Sequence, residues 1–326
     1  MRVLVLGGNG FAGRHVVAAL RAQGHRVVVG SRRGSENPTA VDSGTLRTHF
    51  AALVSPARWQ PLVEGFDCVV NCVGILRPRW RESYDAVHHL APAALARACA
   101  STTPCIRLVH VSALGLSDRA RSGFIRSKLD GERAIASSGG ASTIVRPSLL
   151  DGEGGYGARW LRCLAKAAVH FVPHNAVGRI AVLDVSDLGL AIARICEMPP
   201  ERVPAVCELG GADLYTMEEY LAALRASQDI RGRAVVVHLP SLFARAVSHL
   251  FDASHFSPFS FGHYELMQTD NVPARNALPS LLGRDGRRQR TIESGAQPPP
   301  RARARSTSAT RASRAAMMRK RSALSN

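Results

Sequence analysis

Hydrophobic and polar positions alternate in blocks over the first half of the chain. Short apolar runs, with no room for an amphipathic helix, predict strands that are buried on both faces. Six such strands are predicted at residues 3–6, 26–30, 46–53, 67–74, 106–113 and 142–147, with helices at 15–23, 57–64, 82–101 and 124–137. This alternation predicts an α/β fold with a doubly wound, mostly parallel sheet, and Pro92 predicts a kink in the third helix.

The pattern changes after Leu150. Residues 151–157 are rich in glycine, and we interpret them as a mobile segment over the cleft. Helices are predicted at residues 160–169, 185–197, 216–226 and 242–251, with short strands at 180–183, 203–209 and 234–239. We therefore divide the chain into a core domain (1–150), a small α+β lobe that completes the core and covers the cleft (151–283), and a disordered, Arg-rich tail (284–326).

Charge is unevenly distributed along the chain. The formal charge is +17, and residues 284–326 alone hold 12 Lys or Arg against 2 Asp or Glu. Such a tail can hold nucleic acid or an anionic membrane by charge alone. A solvated extension is the commoner case, so nucleic-acid binding is not expected.

The remaining composition is typical of a cytoplasmic globular protein. No apolar run reaches the ~18 residues of a membrane helix. Glycines interrupt the N-terminal apolar run, so no signal peptide is expected. The seven cysteines are odd in number and lie mostly in apolar runs, which indicates reduced core thiols and neither a disulfide framework nor a metal site.

A glycine turn follows the first strand directly and precedes the first helix. Gly7, Gly10 and Gly13 have the spacing G-x-x-G-x-x-G. Gly7 permits a tight turn at positive φ, Gly10 allows close approach of a pyrophosphate, and Gly13 allows the helix to pack against the strand. Strand, glycine turn and helix in this order predict a dinucleotide site at the helix N-terminus.

The end of the second strand predicts which dinucleotide is bound. Ser31, Arg32 and Arg33 stand where an NAD site usually offers a carboxylate to the ribose 2′-hydroxyl. Because guanidinium groups pair with phosphate, NADP(H) is favoured over NAD(H). The alternative is that both arginines are solvated loop charges.

The carboxyl end of the fourth strand is the other predicted border of the cleft. Gly74 lies there, where open α/β sheets bind ligands. Asn71 is a polar residue inside this apolar strand. It is either a satisfied core amide or a support for the loop beneath the cofactor.

Several motifs together resemble the extended or atypical short-chain dehydrogenase/reductase superfamily, which has a Rossmann fold. They are residues 7–13, Ser112 at a strand end, residues 124–128 and residues 146–148, and the resemblance spans about residues 1–280. Residues 70–74, 124–132 and 146–148 are most similar to the subgroup with the nucleotide-binding accessory subunit of mitochondrial complex I and its bacterial relatives. The resemblance implies cofactor contacts at Gly7, Asn9, Gly10, Phe11, Ala12, Gly13, Ser31, Arg32, Arg33, Val73, Gly74, Lys128 and Pro147.

The superfamily's catalytic set is incomplete in this sequence. The resemblance implies a serine at Ser112 that binds the substrate oxygen and a lysine at Lys128 that binds the nicotinamide ribose. Phe124 stands where the family has its proton-transferring tyrosine, and it has no hydroxyl. General acid catalysis supplies ~10²–10⁴-fold in rate, so this replacement affects chemistry more than cofactor binding. Tyr84 and Tyr156 are the candidate substitutes, but nothing in the sequence places either in the cleft.

Two functions are compatible with these residues. The first is an NADP(H)-dependent oxidoreductase of a quinone-like or small carbonyl substrate, with a substitute acid or bound water. The second is a non-catalytic NADP(H)-binding structural, assembly or sensing protein, like the complex I subunit it resembles. That resemblance implies association with a respiratory complex or with the inner membrane surface, whereas the composition predicts a cytoplasmic protein.

Overall fold

Seven short strands pair in parallel to form the central sheet of the computed structural model, which describes residues 1–32, 44–79, 82–254 and 259–283. The strands among these described residues are β1 (Arg2–Leu6), β2 (Arg26–Ser31), β3 (Thr45–Arg47), β4 (Cys68–Asn71), β5 (Arg107–Val111), β6 (Ser142–Pro147), β7 (Leu150–Asp151), β8 (Val169–Pro173), β9 (Leu183–Asp184), β10 (Val206–Leu209) and β11 (Val235–Leu239). The order in the central sheet is β10-β6-β5-β4-β1-β2-β3. The chain reverses direction across the sheet between β1 and β4, which opens a crevice at their carboxyl ends.

Helices cover both faces of this sheet. The helices of the described residues are α1 (Phe11–Ala22), α2 (Pro56–Val63), α3 (Ala91–Ala100), α4 (Gly123–Ala136), α5 (Tyr156–Ala165), α6 (Val185–Glu197), α7 (Met217–Ala226), α8 (Ser241–Ser254), α9 (Phe261–Leu266) and α10 (Leu278–Leu282). Leu20 of α1 and Ile192 of α6 are buried in one hydrophobic cluster, and Leu95 of α3 and Ile135 of α4 in another. The predicted doubly wound α/β fold is therefore confirmed. None of the described helices is long and apolar enough to cross a bilayer.

The third strand is shorter than its apolar pattern predicts. It ends at Arg47 instead of Leu53, and Phe50–Ala52 form a 3₁₀ turn. Its partner β2 ends at Ser31, so the chain has no strand to pair with beyond that register. Phe50 turns inward instead and packs edge-on against Trp59, with ring centroids 5.5 Å apart.

The predicted kink near Pro92 is present as a change of helix type. Asp85–Leu90 form a π-helical segment, and α3 follows with Pro92 in its first turn. Proline has no N–H to donate, and its ring crowds the carbonyl four residues earlier. The wider turn before Pro92 relieves that crowding.

Residues 151–283, which were predicted to form a smaller lobe, contain strands that their sequence pattern did not reveal. The helix expected at residues 160–169 ends at Ala165, and Val169 begins β8, which pairs in parallel with β11. The strand expected at 180–183 is only Leu183–Asp184, paired with β7. Thr216 and Glu219 form the capping box that opens α7. Arg33 and the predicted disordered tail at 284–326 lie outside the described residues.

Candidate functional site

The glycine turn joins β1 to α1 with little free space. Gly7 has φ +72°, the left-handed region that favours glycine. A Cβ on Gly13 would lie 2.2 Å from the carbonyl oxygen of Gly7. The backbone N–H of Gly10 donates to that same oxygen at 2.8 Å. The conformational roles predicted for Gly7 and Gly13 are thus confirmed, and α1 begins directly at the end of the turn.

A cleft of about 620 Å³ opens at the carboxyl ends of β1, β2 and β4. Of the residues predicted to contact a cofactor, seven line it: Gly7, Asn9, Gly10, Ser31, Arg32, Val73 and Gly74. The segment after β3 also lines it, at Thr48, His49, Phe50, Ala51 and Ala52. The sequence prediction missed that wall because it extended β3 through these residues.

Phe11, Ala12 and Gly13 are not part of the cleft lining and occupy the first turn of α1. The ring of Phe11 packs against the glycine-rich stretch, since a Cβ on Gly155 would lie 2.8 Å from it. The guanidinium of Arg14 donates to the carbonyl oxygen of Glu153. The stretch expected to cover the cleft therefore rests on the N-terminal turn of α1.

Arg32, directly after β2, faces the carboxylate of Glu82, which belongs to the segment after β4. Nη1 of Arg32 lies 3.5 Å from Oε1 of Glu82, and both residues line the cleft. The Arg32 side chain is 70% exposed, so the ion pair contributes at most ~1 kcal/mol and leaves the guanidinium able to change partner.

Asn71 supports the loop at the end of β4. Its Oδ1 accepts from the backbone N–H of Val73 at 3.1 Å, and its Nδ2 lies 3.0 Å from Nδ1 of His110. Burial, with a smaller contribution from Lys128, lowers the pKa of His110 to about 3, so this imidazole is neutral and accepts from the amide. Both readings of Asn71 are correct: it is a satisfied buried amide, and it holds the loop that presents Val73 and Gly74.

His88 supports the same loop from the π-helical segment, and the sequence carried no signal for it. Its Nε2 accepts from the backbone N–H of Ile75 at 3.1 Å, which places the proton on Nδ1. Nδ1 then donates to Oγ of Ser127 at 3.1 Å, and Ser127 donates to the carbonyl oxygen of Phe124 at 3.2 Å. This chain of bonds fixes the loop to α4.

Lys128 reaches the Gly74 end of the cleft. A Cβ on Gly74 would lie 3.9 Å from Nζ of Lys128. Burial lowers the pKa of Lys128 to about 8, although the charge of Glu132 raises it. Within the described part of the chain this ammonium has no hydrogen-bond acceptor. Lys128, like Ser112, is not itself part of the cleft lining, and Gly74 is the lining residue beside it.

Phe124 is enclosed by aromatic rings. Its ring centroid lies 5.9 Å from Tyr84, 5.5 Å from His88 and 5.8 Å from His263. The Tyr84 hydroxyl donates to the carbonyl oxygen of Leu76 at 2.8 Å, and burial raises the pKa of Tyr84 to about 12. Tyr84 therefore lies beside the family's tyrosine position but is a poor proton donor.

The remaining predicted site residues lie at the ends of β5 and β6. The Ser112 side chain is buried, and its Oγ has no hydrogen-bond partner among the residues that the structure describes. Pro147 accepts from the backbone N–H of Leu114 at 2.9 Å. Tyr156 begins α5 and is 48% exposed. Buried polar atoms normally find a partner, so Ser112 retains an unused donor and acceptor.

A second cavity, of about 600 Å³, lies on the other side of Tyr84. It is bordered by Ser122 and by Gly262, and a Cβ on Gly262 would lie 3.2 Å from Cβ of Phe124. Arg77, Arg121 and Arg245 also line it. This cavity places room for a small molecule beside Phe124.

Comparison with known proteins shows which family this chain resembles. The model of the NAD dependent epimerase/dehydratase family matches residues 3–204. This match confirms the resemblance drawn from the sequence motifs.

Individual relatives and structures extend over most of the chain. A ceramide reductase of Caulobacter vibrioides is 27% identical over 293 residues, covering 86% of this chain and 90% of the relative. The mitochondrial NADH dehydrogenase [ubiquinone] 1 alpha subcomplex subunit 9 of Arabidopsis thaliana is 27% identical over 294 residues, covering 84% of this chain and 71% of the relative. The human epimerase family protein SDR39U1, solved with NADPH, is 19% identical and superposes with a TM-score of 0.59, covering 83% of this chain and 90% of that one.

Proposed function

The chain belongs to the NAD dependent epimerase/dehydratase family, and from that premise we propose that it is an NADP(H)-dependent reductase of a carbonyl or quinone substrate. The cofactor lies in the cleft between Gly7 and Gly74. Two features fit such a group. The glycine turn leaves no Cβ where the pyrophosphate approaches the N-terminus of α1, and Ser112 and Lys128 keep unused hydrogen-bonding atoms.

Arg32 is the residue we propose for recognition of the 2′-phosphate. It lies at the end of β2, and its exposed pairing with Glu82 is weak enough to exchange for a phosphate. Glu82 opposes this choice, because a carboxylate favours a ribose hydroxyl and repels a phosphate. We infer that NADP(H) is preferred because the Arg32 side chain is 70% exposed, whereas Glu82 is the less exposed partner at 27%.

The proposed reaction divides between the cofactor and two side chains. When bound, NADPH supplies the hydride that reduces the substrate carbonyl. Ser112 donates a hydrogen bond to the carbonyl oxygen, and Lys128 delivers a proton to that oxygen as it becomes a hydroxyl. A lysine with a pKa of about 8 is a competent donor near neutral pH, which Tyr84 is not. The observation that carries the proposal is this unpaired ammonium at the Gly74 end of the cleft.

The name of the Caulobacter relative supports a lipid carbonyl as the substrate class. A second function is supported by Phe124, whose ring has no hydroxyl and is enclosed by its neighbours. In that case the chain binds NADP(H) without using it, in a structural or assembly role. The Arabidopsis complex I relative supports this alternative.

One experiment separates the two functions. The full chain is purified, the nucleotide that copurifies is identified by mass spectrometry, and NADPH oxidation is followed with quinones, small carbonyls and a keto-sphingolipid. The reductase proposal expects NADP(H) in the first measurement and turnover above the protein-free rate in the second. Bound nucleotide without turnover on any substrate class supports the non-catalytic function, and failure to bind either dinucleotide contradicts both.

A further inference from the structure

The sheet formed by β8 and β11 has one buried face and one exposed face. Val172 is buried and Val236 packs against the same hydrophobic cluster, which includes Tyr220. On the opposite face the register places Val169 beside Val235 and Phe171 beside Val237. All four are exposed, and Phe171 and Val235 are 64% and 63% exposed. We refer to Val169, Phe171, Val235 and Val237 as the β8–β11 face.

Exposed apolar side chains continue into the next element. β11 ends at Leu239 and α8 begins at Ser241. Leu242 and Phe243, in the first turn of α8, are 82% and 57% exposed. Three residues of chain span at most ~11 Å, so these side chains lie close to the end of the β8–β11 face. Monomeric proteins rarely expose so many large apolar groups together unless the surface has a partner.

The two chain segments that form this face are basic, and Glu218 of α7 lies 3.4 Å from Nε2 of His238 on β11. Residues 159–174 and 231–251 contain no Asp or Glu. Of the six Lys and Arg in these two segments, Arg162 pairs with Asp151 at 2.7 Å. Arg245 lines the second cavity and lies over the Phe261 ring, which leaves Arg159, Lys166, Arg231 and Arg233.

We propose that the β8–β11 face, with Leu242 and Phe243, docks on an anionic phospholipid bilayer. Apolar side chains flanked by Lys and Arg suit the boundary between lipid headgroups and acyl chains. A second copy of the chain would bring the same four cations against each other, which is repulsive. The segment at 284–326 is also positively charged, so its charge is repelled by the cations around this face. The same charge is attracted to an anionic bilayer.

Cosedimentation with vesicles tests the proposal without any nucleotide present. The full chain is mixed with vesicles of phosphatidylcholine alone or with added phosphatidylglycerol. Wild type partitions onto the anionic vesicles, and the variant F171S/V235S/L242S partitions at least about ten-fold less. The control V54S/L214S, which removes exposed apolar groups elsewhere, stays within about two-fold of wild type. Thermal unfolding midpoints close to that of wild type show that both variants are folded.

A second measurement, of tryptophan fluorescence, does not require a variant that removes apolar side chains from the face. Phe171→Trp keeps an aromatic side chain in the face, and its indole emission shifts to the blue on anionic vesicles, whereas Val54→Trp shows no shift. Equal partition of wild type and F171S/V235S/L242S would mean that charge alone holds the chain, and this overturns the proposal. A dimer in vesicle-free solution that the same variant dissociates also overturns it, in favour of a second copy.

Discussion

The ammonium nitrogen of Lys128 lies 5.6 Å from the ring centroid of Phe124, one helical turn away on α4. The same spacing places a tyrosine and a lysine on one helix face in the family that the sequence resembles. Phe124 and Lys128 thus lie together on α4, and the hydroxyl that the resemblance implies at residue 124 is absent. The contact is a cation–π interaction, which holds the charge without offering a proton.

A hydroxyl at this position is therefore expected to add a second proton donor to the one that we propose at Lys128. We expect Phe124→Tyr to raise the rate of NADPH oxidation by at least about ten-fold on any carbonyl that the wild type reduces, with little change in NADPH affinity. Steady-state kinetics with matched fluorescence titrations measure both quantities. Phe124→Leu, which fills the same pocket without a hydroxyl, is the control and should not gain rate. No gain for Phe124→Tyr would mean that the enclosing rings of Tyr84 and His263 exclude substrate.

Lys128 is expected to strengthen NADPH binding and to lower the stability of the free protein. Lys128→Met removes a charge that burial disfavours, so the free variant should unfold at a higher temperature, while its Kd for NADPH rises at least about ten-fold. Differential scanning calorimetry and fluorescence titration measure the two effects. Lys166→Met, at an exposed position, should change neither.

The stability difference between wild type and Lys128→Met also depends on pH. The folded-state pKa is about 8 and the ordinary value is 10.5, so between them the unfolded chain binds more protons than the folded chain. Wild-type stability therefore rises with pH across that window. The stability advantage of Lys128→Met should shrink from pH 8 to 10.5, and a constant advantage would show that Lys128 does not titrate in this way.

Most of the cleft residues could be predicted from the local sequence, because the glycine turn and the strand ends are local features. Gly7, Gly10, Ser31, Arg32 and Gly74 follow directly from where strands stop and glycines begin. Residues that reach the site through tertiary packing were not visible. His88 lies on the π-helical segment before Pro92, and its role depends on Ser127 and Ile75, which are far from it in sequence.

The predicted strand lengths were wrong for a related physical reason. An apolar run shows what is buried and not which strand stands beside it, so β3 was extended past the end of its partner β2. Strand β8 was missed because the preceding helix was predicted to run through Val169 and residues 170–173 were assigned to no element. Pairing partners are a property of the sheet, and a single sequence does not display them.

Arg32 offers a direct test of cofactor choice. Arg32→Asp should weaken NADPH binding at least about ten-fold more than NADH binding, because a carboxylate attracts a ribose hydroxyl and repels a 2′-phosphate. Fluorescence titration with both dinucleotides gives the ratio of Kd values. Arg21→Asp, at the end of α1, is the charge-matched control and should leave the ratio unchanged. An equal loss of both affinities for Arg32→Asp would remove this guanidinium from the phosphate site.

Gly13 couples the stability of the fold to the shape of the cleft. A Cβ there would lie 2.2 Å from the Gly7 carbonyl oxygen, so Gly13→Ala must displace α1 from the turn. We expect a loss of about 1–3 kcal/mol in the free energy of unfolding and a weaker affinity for NADPH, because the helix N-terminus moves away from the phosphates. Urea unfolding and fluorescence titration measure these effects. Gly157→Ala, in α5 with nothing within 4 Å of its Cβ, is the matched control and should be neutral or stabilise by about 0.5–1 kcal/mol. If Gly13→Ala loses stability but keeps its affinity for NADPH, the N-terminus of α1 is not where the phosphates bind.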